Sequence, residues 1–232
     1  MSETLTASAK RSTAQVVRCR VDRSRDRFWR AEDFEGSHTG ALRELSRLAA
    51  EGKLRHIRKG LYWRGRETLL GMSGPSPAQL VQELVGSAGV GPAEWSAALA
   101  LGLSTQHPRH DIIAVPTRPP SMDARVELKD RSGRGGRARN KLNWWEVAVL
   151  EVLADWSRVV EVPRDEAVTT LVQWLTSDKV RPQKLARAAK GEAPVVREGL
   201  RSLLAKGGLD SEASSIPPAR SESVRQHALL AA

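Results

Sequence analysis

Three patterns in this 232-residue chain predict an α+β fold. "SHTGALRELSRLAA" (37–50) repeats its apolar residues with a helical period, and "KLRHIRKGLYW" (53–63) reads as a basic two-stranded hairpin. "DIIAVPT" (111–117) and "ARVELKD" (124–130) read as further strands set among helices, which predicts a second, mainly helical α+β domain with a small sheet. The expected division is a first domain over 1–70, a second over 75–210 and a disordered tail over 211–232.

Charge separates the two domains. The formal net charge is +10, but residues 1–70 hold 16 Lys/Arg against 9 Asp/Glu while residues 151–232 hold 12 against 11. An excess gathered at one end marks a polyanion-binding module joined to a near-neutral partner domain. No stretch approaches 18 uninterrupted apolar residues, so no membrane partner is expected. The first 25 residues are polar and basic, without the apolar run of a secretory leader. Cys19 is the single cysteine, which excludes an internal disulfide and a cysteine metal cluster and predicts a cytoplasmic location.

In chain order, Ser12 to about Arg20 predicts a first helix with Val16 and Val17 as its apolar contacts. Phe28 and Trp29 follow as a short strand or helix approach, and Ala31 to Phe34 as one or two helical turns ending at Gly36. Ser37 is a good N-cap for the next helix, whose Ala41, Leu42, Leu45, Leu48 and Ala49 share one face. The opposite face carries Thr39, Gly40, Arg43 and Arg47, with Ser46 at its edge. Gly52 is placed to stop this helix in the left-handed conformation. The hairpin follows at once, turning at Arg58-Lys59-Gly60 over an apolar underside of Leu54, Ile57, Leu61, Tyr62 and Trp63.

Helix, short helix, longer helix and basic hairpin is the order of a winged helix-turn-helix. In that architecture the longer helix enters the major groove and the wing lies along phosphates. Thr39, Arg43, Ser46 and Arg47 are the candidate base-reading residues, the arginines offering paired donors to guanine edges. Lys53, Arg55, Arg58 and Lys59 are the candidate phosphate contacts, which carry affinity without sequence information. Five or six such contacts predict a log-log salt slope of roughly −5.

"FWRAEDFEGSHTGALRELSRLAAEGKLRHIRKGLYW" and, further on, "PSPAQLVQEL" and "GPAEWSAALALGLSTQHPRHDIIAVPTRP" resemble AbiEi-type antitoxins, bacterial proteins encoded beside a nucleotidyltransferase toxin. The resemblance spans about residues 12–205. It implies an amino-terminal winged helix that represses its own promoter and a carboxy-terminal domain that neutralises the cognate toxin. Double-stranded promoter DNA and that toxin are the partners so implied, and an inverted-repeat operator requires two copies of the domain. Arg30 departs from the resemblance, standing where a small hydroxyl N-cap is usual, so the "AEDF" helix is expected to be poorly capped.

In the second domain "GMSGPSP" (71–77) reads as a linker, and Ser76 with Pro77 opens a helix whose Leu80, Val81, Leu84 and Val85 face inward. "GSAGVGP" lacks the Gly-Lys-Ser/Thr ending of a phosphate loop and reads as a helix stop and turn. Glu94 to Leu101 forms a helix, and "RPPSMD" is expected to close a hairpin between the two strands. "KDRSGRGGRARNK" (129–141) is a second basic cluster, expected as a mobile loop from which Arg131, Arg134, Arg137, Arg139 and Lys141 contact a partner or polyanion. Asn143 caps a helix that is apolar nearly all round, with Trp144, Trp145 and Trp156 as core anchors. "DEAVTTLVQWL" and two short helices near Pro182 and Pro194 complete the domain.

No His, carboxylate and nucleophile converge in the sequence, so no enzymatic activity, metal or cofactor is expected. His107 and His110 lack a third ligand at useful spacing. Ser104 and Thr105 in "LGLSTQ" are the only hydroxyl pair that an enzymatic alternative would use. The other alternative is a stand-alone winged-helix regulator with a ligand-sensing or dimerising second domain.

Overall fold

The structure, a computed structural model, describes residues 12–122 and 126–221. It is a mixed α+β fold in two units, Met1–Ser76 and Pro77–Ala232.

In the first unit α1 (Thr13–Asp22) begins at Ser12, whose hydroxyl accepts the Gln15 N–H at 3.3 Å while the Gln15 amide oxygen accepts the Ser12 N–H at 3.0 Å. This reciprocal box contributes about 1 kcal/mol. Strand β1 (Arg27–Trp29) leads into a single 3-10 turn, Ala31–Asp33. Arg30 supplies no side-chain cap to that turn; the Asp33 carboxylate instead accepts the Arg30 N–H at 2.7 Å. Helix α2 (His38–Ala50) follows, then β2 (Arg55–Arg58) and β3 (Leu61–Arg64). The sheet order is β1-β3-β2, antiparallel throughout. Val17, Val21, Trp29, Phe34, Ala41, Leu45, Leu48, Leu54 and Tyr62 form one core beneath it. Strands β4 (Glu67–Thr68) and β5 (Gly71–Met72) make a second, tiny hairpin whose tip exposes Leu69 and Leu70. The stretch read as a linker from residue 71 therefore begins inside this hairpin.

In the second unit α3 (Pro77–Val85) buries Val81 fully, with Leu80, Leu84 and Val85 only partly covered. Strand β6 (Gly91–Pro92), helix α4 (Glu94–Leu101), strands β7 (Asp111–Val115) and β8 (Val126–Asp130) follow. Then come helices α5 (Gly136–Arg139), α6 (Trp144–Ala154), α7 (Trp156–Val159), α8 (Arg164–Leu175), α9 (Pro182–Ala189), α10 (Pro194–Lys206) and α11 (Asp210–Ser215). Helix α6 is the axis of this unit. Its Asn143 cap accepts from Trp145 and Glu146 N–H groups, and every residue from Glu146 to Leu153 is buried. Gly91 lets β6 lie directly on it: a Cβ there would meet the Val147 Cβ at 2.5 Å and the Trp144 carbonyl at 2.8 Å.

Three expectations are corrected here. First, β7 and β8 pair in parallel, Asp111↔Val126 through Val115↔Asp130, so residues 116–125 do not close a hairpin. Ten residues reach up to about 33 Å, enough to retrace a five-residue strand of about 17 Å. Second, the stretch from 211 onward is not disordered throughout: Ala213 and Ile216 join the main core, Ala219 is buried, and its N–H donates to the Glu198 carboxylate at 3.0 Å. The remainder of that expectation, 222–232, lies outside the described residues. Third, 129–141 is no open loop, as its side chains make plain below. Among the described residues no helix is long and apolar enough to cross a membrane.

Candidate nucleic-acid interface

Helix α2 and the β2–β3 hairpin are positioned by short-range signals. The Ser37 hydroxyl accepts the Gly40 N–H at 3.1 Å and so fixes where α2 starts. Gly52, at φ +75°, ends it, with Lys53 N–H returning to the Leu48 carbonyl at 2.9 Å. Gly60, at φ +76°, turns the hairpin so that Arg58 and Lys59 stand at its tip. Leu61, Tyr62 and Trp63 are all buried, which anchors the inner strand, while Trp63 donates its indole N–H to the Ser73 carbonyl at 2.9 Å.

A second set of contacts neutralises the acids of α2. Glu44 is buried and receives Arg18 of α1 at 2.5 Å; Glu51 receives Arg18 and Arg47, each at 3.0 Å. Arg47 and then Arg18 hold the Glu51 carboxyl below the usual carboxylate range. The Arg18 guanidinium is raised in turn, chiefly by Glu44.

These contacts redistribute the predicted site residues. Thr39 and Arg43 are exposed on the outer face of α2, and Arg43 has no ion pair among the described residues. Arg58 and Lys59 are likewise exposed and unpaired among the described residues. Arg55 is exposed, with one guanidinium nitrogen donating to the Met72 carbonyl at 3.1 Å. Arg47 is committed to Glu51, and Lys53 lies 3.9 Å from Asp22. Ser46, expected to read base edges, is exposed and its hydroxyl is 2.8 Å from the Tyr62 phenol, a tie between helix and hairpin.

Between α2 and the hairpin lies an open groove of about 470 Å³. Leu42 and Ser46 line it from the helix, and His56, Lys59 and Tyr62 from the hairpin. Glu32 and His38 close one end, joined at 3.2 Å. The histidines and Glu32 were not singled out as one group by sequence; only their helix-and-turn spacing could have hinted at it.

The second basic cluster is a correction. Arg137 is fully buried, donating to Glu192 at 2.6 and 3.0 Å and to Glu151 at 2.5 Å. Arg131 grips the same Glu151 through two bonds of 2.9 and 2.8 Å, and Arg134 lies 3.3 Å from Glu192. Three of the five cations expected to contact a polyanion are therefore spent inside the protein. Burial pushes the Glu151 carboxyl up, but Arg131 and Arg137 outweigh it and hold it below the usual range. Such a network offsets a desolvation cost of several kcal/mol per ion because Glu151, Glu192, Arg131 and Arg137 are each bonded more than once, whereas the buried Arg134 Nη1 has ion-pair contacts but no hydrogen bond. Arg139 and Lys141 remain exposed.

No family model matches the chain, and no curated protein matches it. Among solved structures it is similar to the RV2827C protein from Mycobacterium tuberculosis, with 18% identity over 88% of this chain and 79% of that one and a TM-score of 0.42.

The remaining candidates of the sequence have structural duties. The Ser104 hydroxyl donates to the Glu161 carboxylate at 2.7 Å, and the Thr105 N–H reaches the same oxygen at 3.0 Å. His107 borders a pocket of about 260 Å³ that His110 does not line. Among the described residues no group of three His, Cys, Asp or Glu is arranged to hold a metal ion.

Proposed function

We propose that the first unit is a winged helix-turn-helix that binds the promoter of its own operon, and that the chain is an antitoxin for a nucleotidyltransferase toxin. One observation carries the DNA-binding half. Arg43, Arg58 and Lys59 are exposed and unpaired among the described residues, on a helix and hairpin whose acids are already neutralised by Arg18 and Arg47. An anionic rod approaching this face meets cations and no free carboxylate of α2.

In this reading Arg43 and Thr39 read base edges, and Arg55, Arg58 and Lys59 hold phosphates. With Lys53 3.9 Å from Asp22, three cations remain for phosphates and the expected salt slope falls to roughly −3 per domain. The side chains of Ser46 and Tyr62 keep the helix and the wing in one register. Two copies bind an inverted repeat.

Toxin neutralisation rests on the resemblance of "LGLSTQ" and its surroundings to AbiEi-type antitoxins. Ser104 is engaged with Glu161 and no catalytic role is proposed for it. The operon and toxin proposed here make the cytoplasm the working compartment.

Co-expression tests both halves together. Cells carrying the neighbouring nucleotidyltransferase gene are expected to arrest alone and to grow when this chain is supplied, while a reporter behind the operon promoter falls silent. Persistent arrest removes the antitoxin half, and an unchanged reporter removes the promoter-binding half.

A further inference from the structure

Within the second unit, an open pocket of about 590 Å³ lies between the end of α3, the start of α6 and the α8–α9 turn. Its volume falls within the range of small-molecule sites. Its floor is aromatic: Trp144 and Trp145 line it, and Trp145 stacks on Trp174 with ring centres 4.7 Å apart. Lys179 sits over both rings of that stack, 5.4 and 5.3 Å from their centres.

The walls are tied together by bonds from two of the pocket's polar side chains, Asn143 and Arg181. Asn143 donates its side-chain amide to the Lys179 carbonyl at 2.8 Å. Arg181 grips Glu146 at 2.7 and 2.8 Å and donates to the Lys141 carbonyl at 2.9 Å. Lys141 itself stands at φ +50°, a conformation non-glycine residues seldom adopt. Yet the Gln82 amide, the Ser87 hydroxyl, the Lys141 ammonium and the Asp178 carboxylate have no side-chain hydrogen bond or ion pair among the described residues.

We propose that this pocket binds a mononucleotide carrying a di- or triphosphate. Each part of such a ligand matches one group present. The base lies on the indole floor, as bases do on aromatic side chains. Gln82 and Ser87 offer donors and acceptors to its edge. Asp178 is an acceptor for the ribose hydroxyls, the task a carboxylate performs in dinucleotide sites. Lys141 and Lys179 supply two ammonium groups to the phosphates. A simple polyanion would leave the floor and Asp178 without purpose, and an apolar ligand would strand both lysines. This inference is independent of duplex binding, which uses the other unit.

Calorimetric titration of the full chain with ATP, GTP, CTP and UTP at near-physiological salt, with inorganic triphosphate alongside, tests it. At least one nucleotide is expected to bind one-to-one and about tenfold more tightly than triphosphate, a difference of about 1.4 kcal/mol. Lys141→Ala, at an exposed position, and Lys179→Ala should each weaken it about tenfold. Arg187→Ala, an exposed cation on α9 that does not line the pocket, should leave it unchanged. No binding by any of the four nucleotides overturns the assignment. So does triphosphate binding equally well, affinity unaffected by Lys141→Ala, or binding of a single-stranded oligonucleotide where mononucleotides fail.

Discussion

The Ser46 hydroxyl of α2 meets the Tyr62 phenol of β3 at 2.8 Å, a bond across 16 residues of sequence that ties the helix to the hairpin. Tyr62 is otherwise buried against the core of the first unit, so the bond reports the relative setting of the two elements. Tyr62→Phe keeps the packing and removes the bond. It should lower stability by about 0.5–1.5 kcal/mol in urea unfolding and raise the dissociation rate from duplex DNA. Unchanged stability and unchanged DNA kinetics together would count against this tie.

Arg43 and Lys59 are assigned different tasks, and their alanine variants should separate. Arg43→Ala is expected to cost about 1–3 kcal/mol on the cognate duplex and much less on a random one. Lys59→Ala should weaken both alike and flatten the salt slope by about one unit. Equal losses on cognate and random duplex for both variants would refute the division.

The buried arginine cluster makes a stability prediction. Arg137→Ala strips Glu192 of both its side-chain bonds and Glu151 of one of its three, and should cost about 3–5 kcal/mol. The wild-type chain should also be acid-sensitive through Glu151. Its carboxyl is depressed in the folded state, so its contribution is fully present above the ordinary glutamate value of 4.5 and is lost as pH falls through the lower folded value. Thermal melts from pH 7 downward check the sign: a melting temperature insensitive to pH below 4.5 contradicts it.

Ser104 offers a narrower test. Its hydroxyl, followed by the Thr105 N–H, holds the Glu161 carboxyl below the usual range. Ser104→Ala should raise the Glu161 titration midpoint towards that range, as followed by carboxyl-carbon NMR. A midpoint that does not move would deny the bond in solution.

What was legible in the sequence is what local chemistry decides. Ser37, Gly52 and Gly60 each act within a few residues, and α2 with its hairpin follows from them. The capped, all-round apolar α6 was legible for the same reason. The charged contacts were not. Glu44 meets Arg18 across 26 residues, and Arg137 meets Glu192 across 55, distances at which neither period nor composition carries information. A run such as "RSGRGGRARN" therefore reads as a solvated loop until its partners are known. Strand direction was also hidden, because alternation along β8 is the same whether it runs with β7 or against it. At the site, the exposed members Arg43, Arg58 and Lys59 were legible, and the diversion of Ser46 and Arg47 was not.

The most direct measurement is the affinity of the full chain for a duplex from its own upstream region, followed by fluorescence anisotropy across a salt series. A straight log-log plot with slope of roughly −3 per bound domain, and binding at least about a thousandfold tighter than to a random duplex, is the predicted result. Affinity that ignores salt, or that is the same for upstream and random duplexes, would contradict the assignment of α2 and the hairpin as a sequence-reading DNA surface.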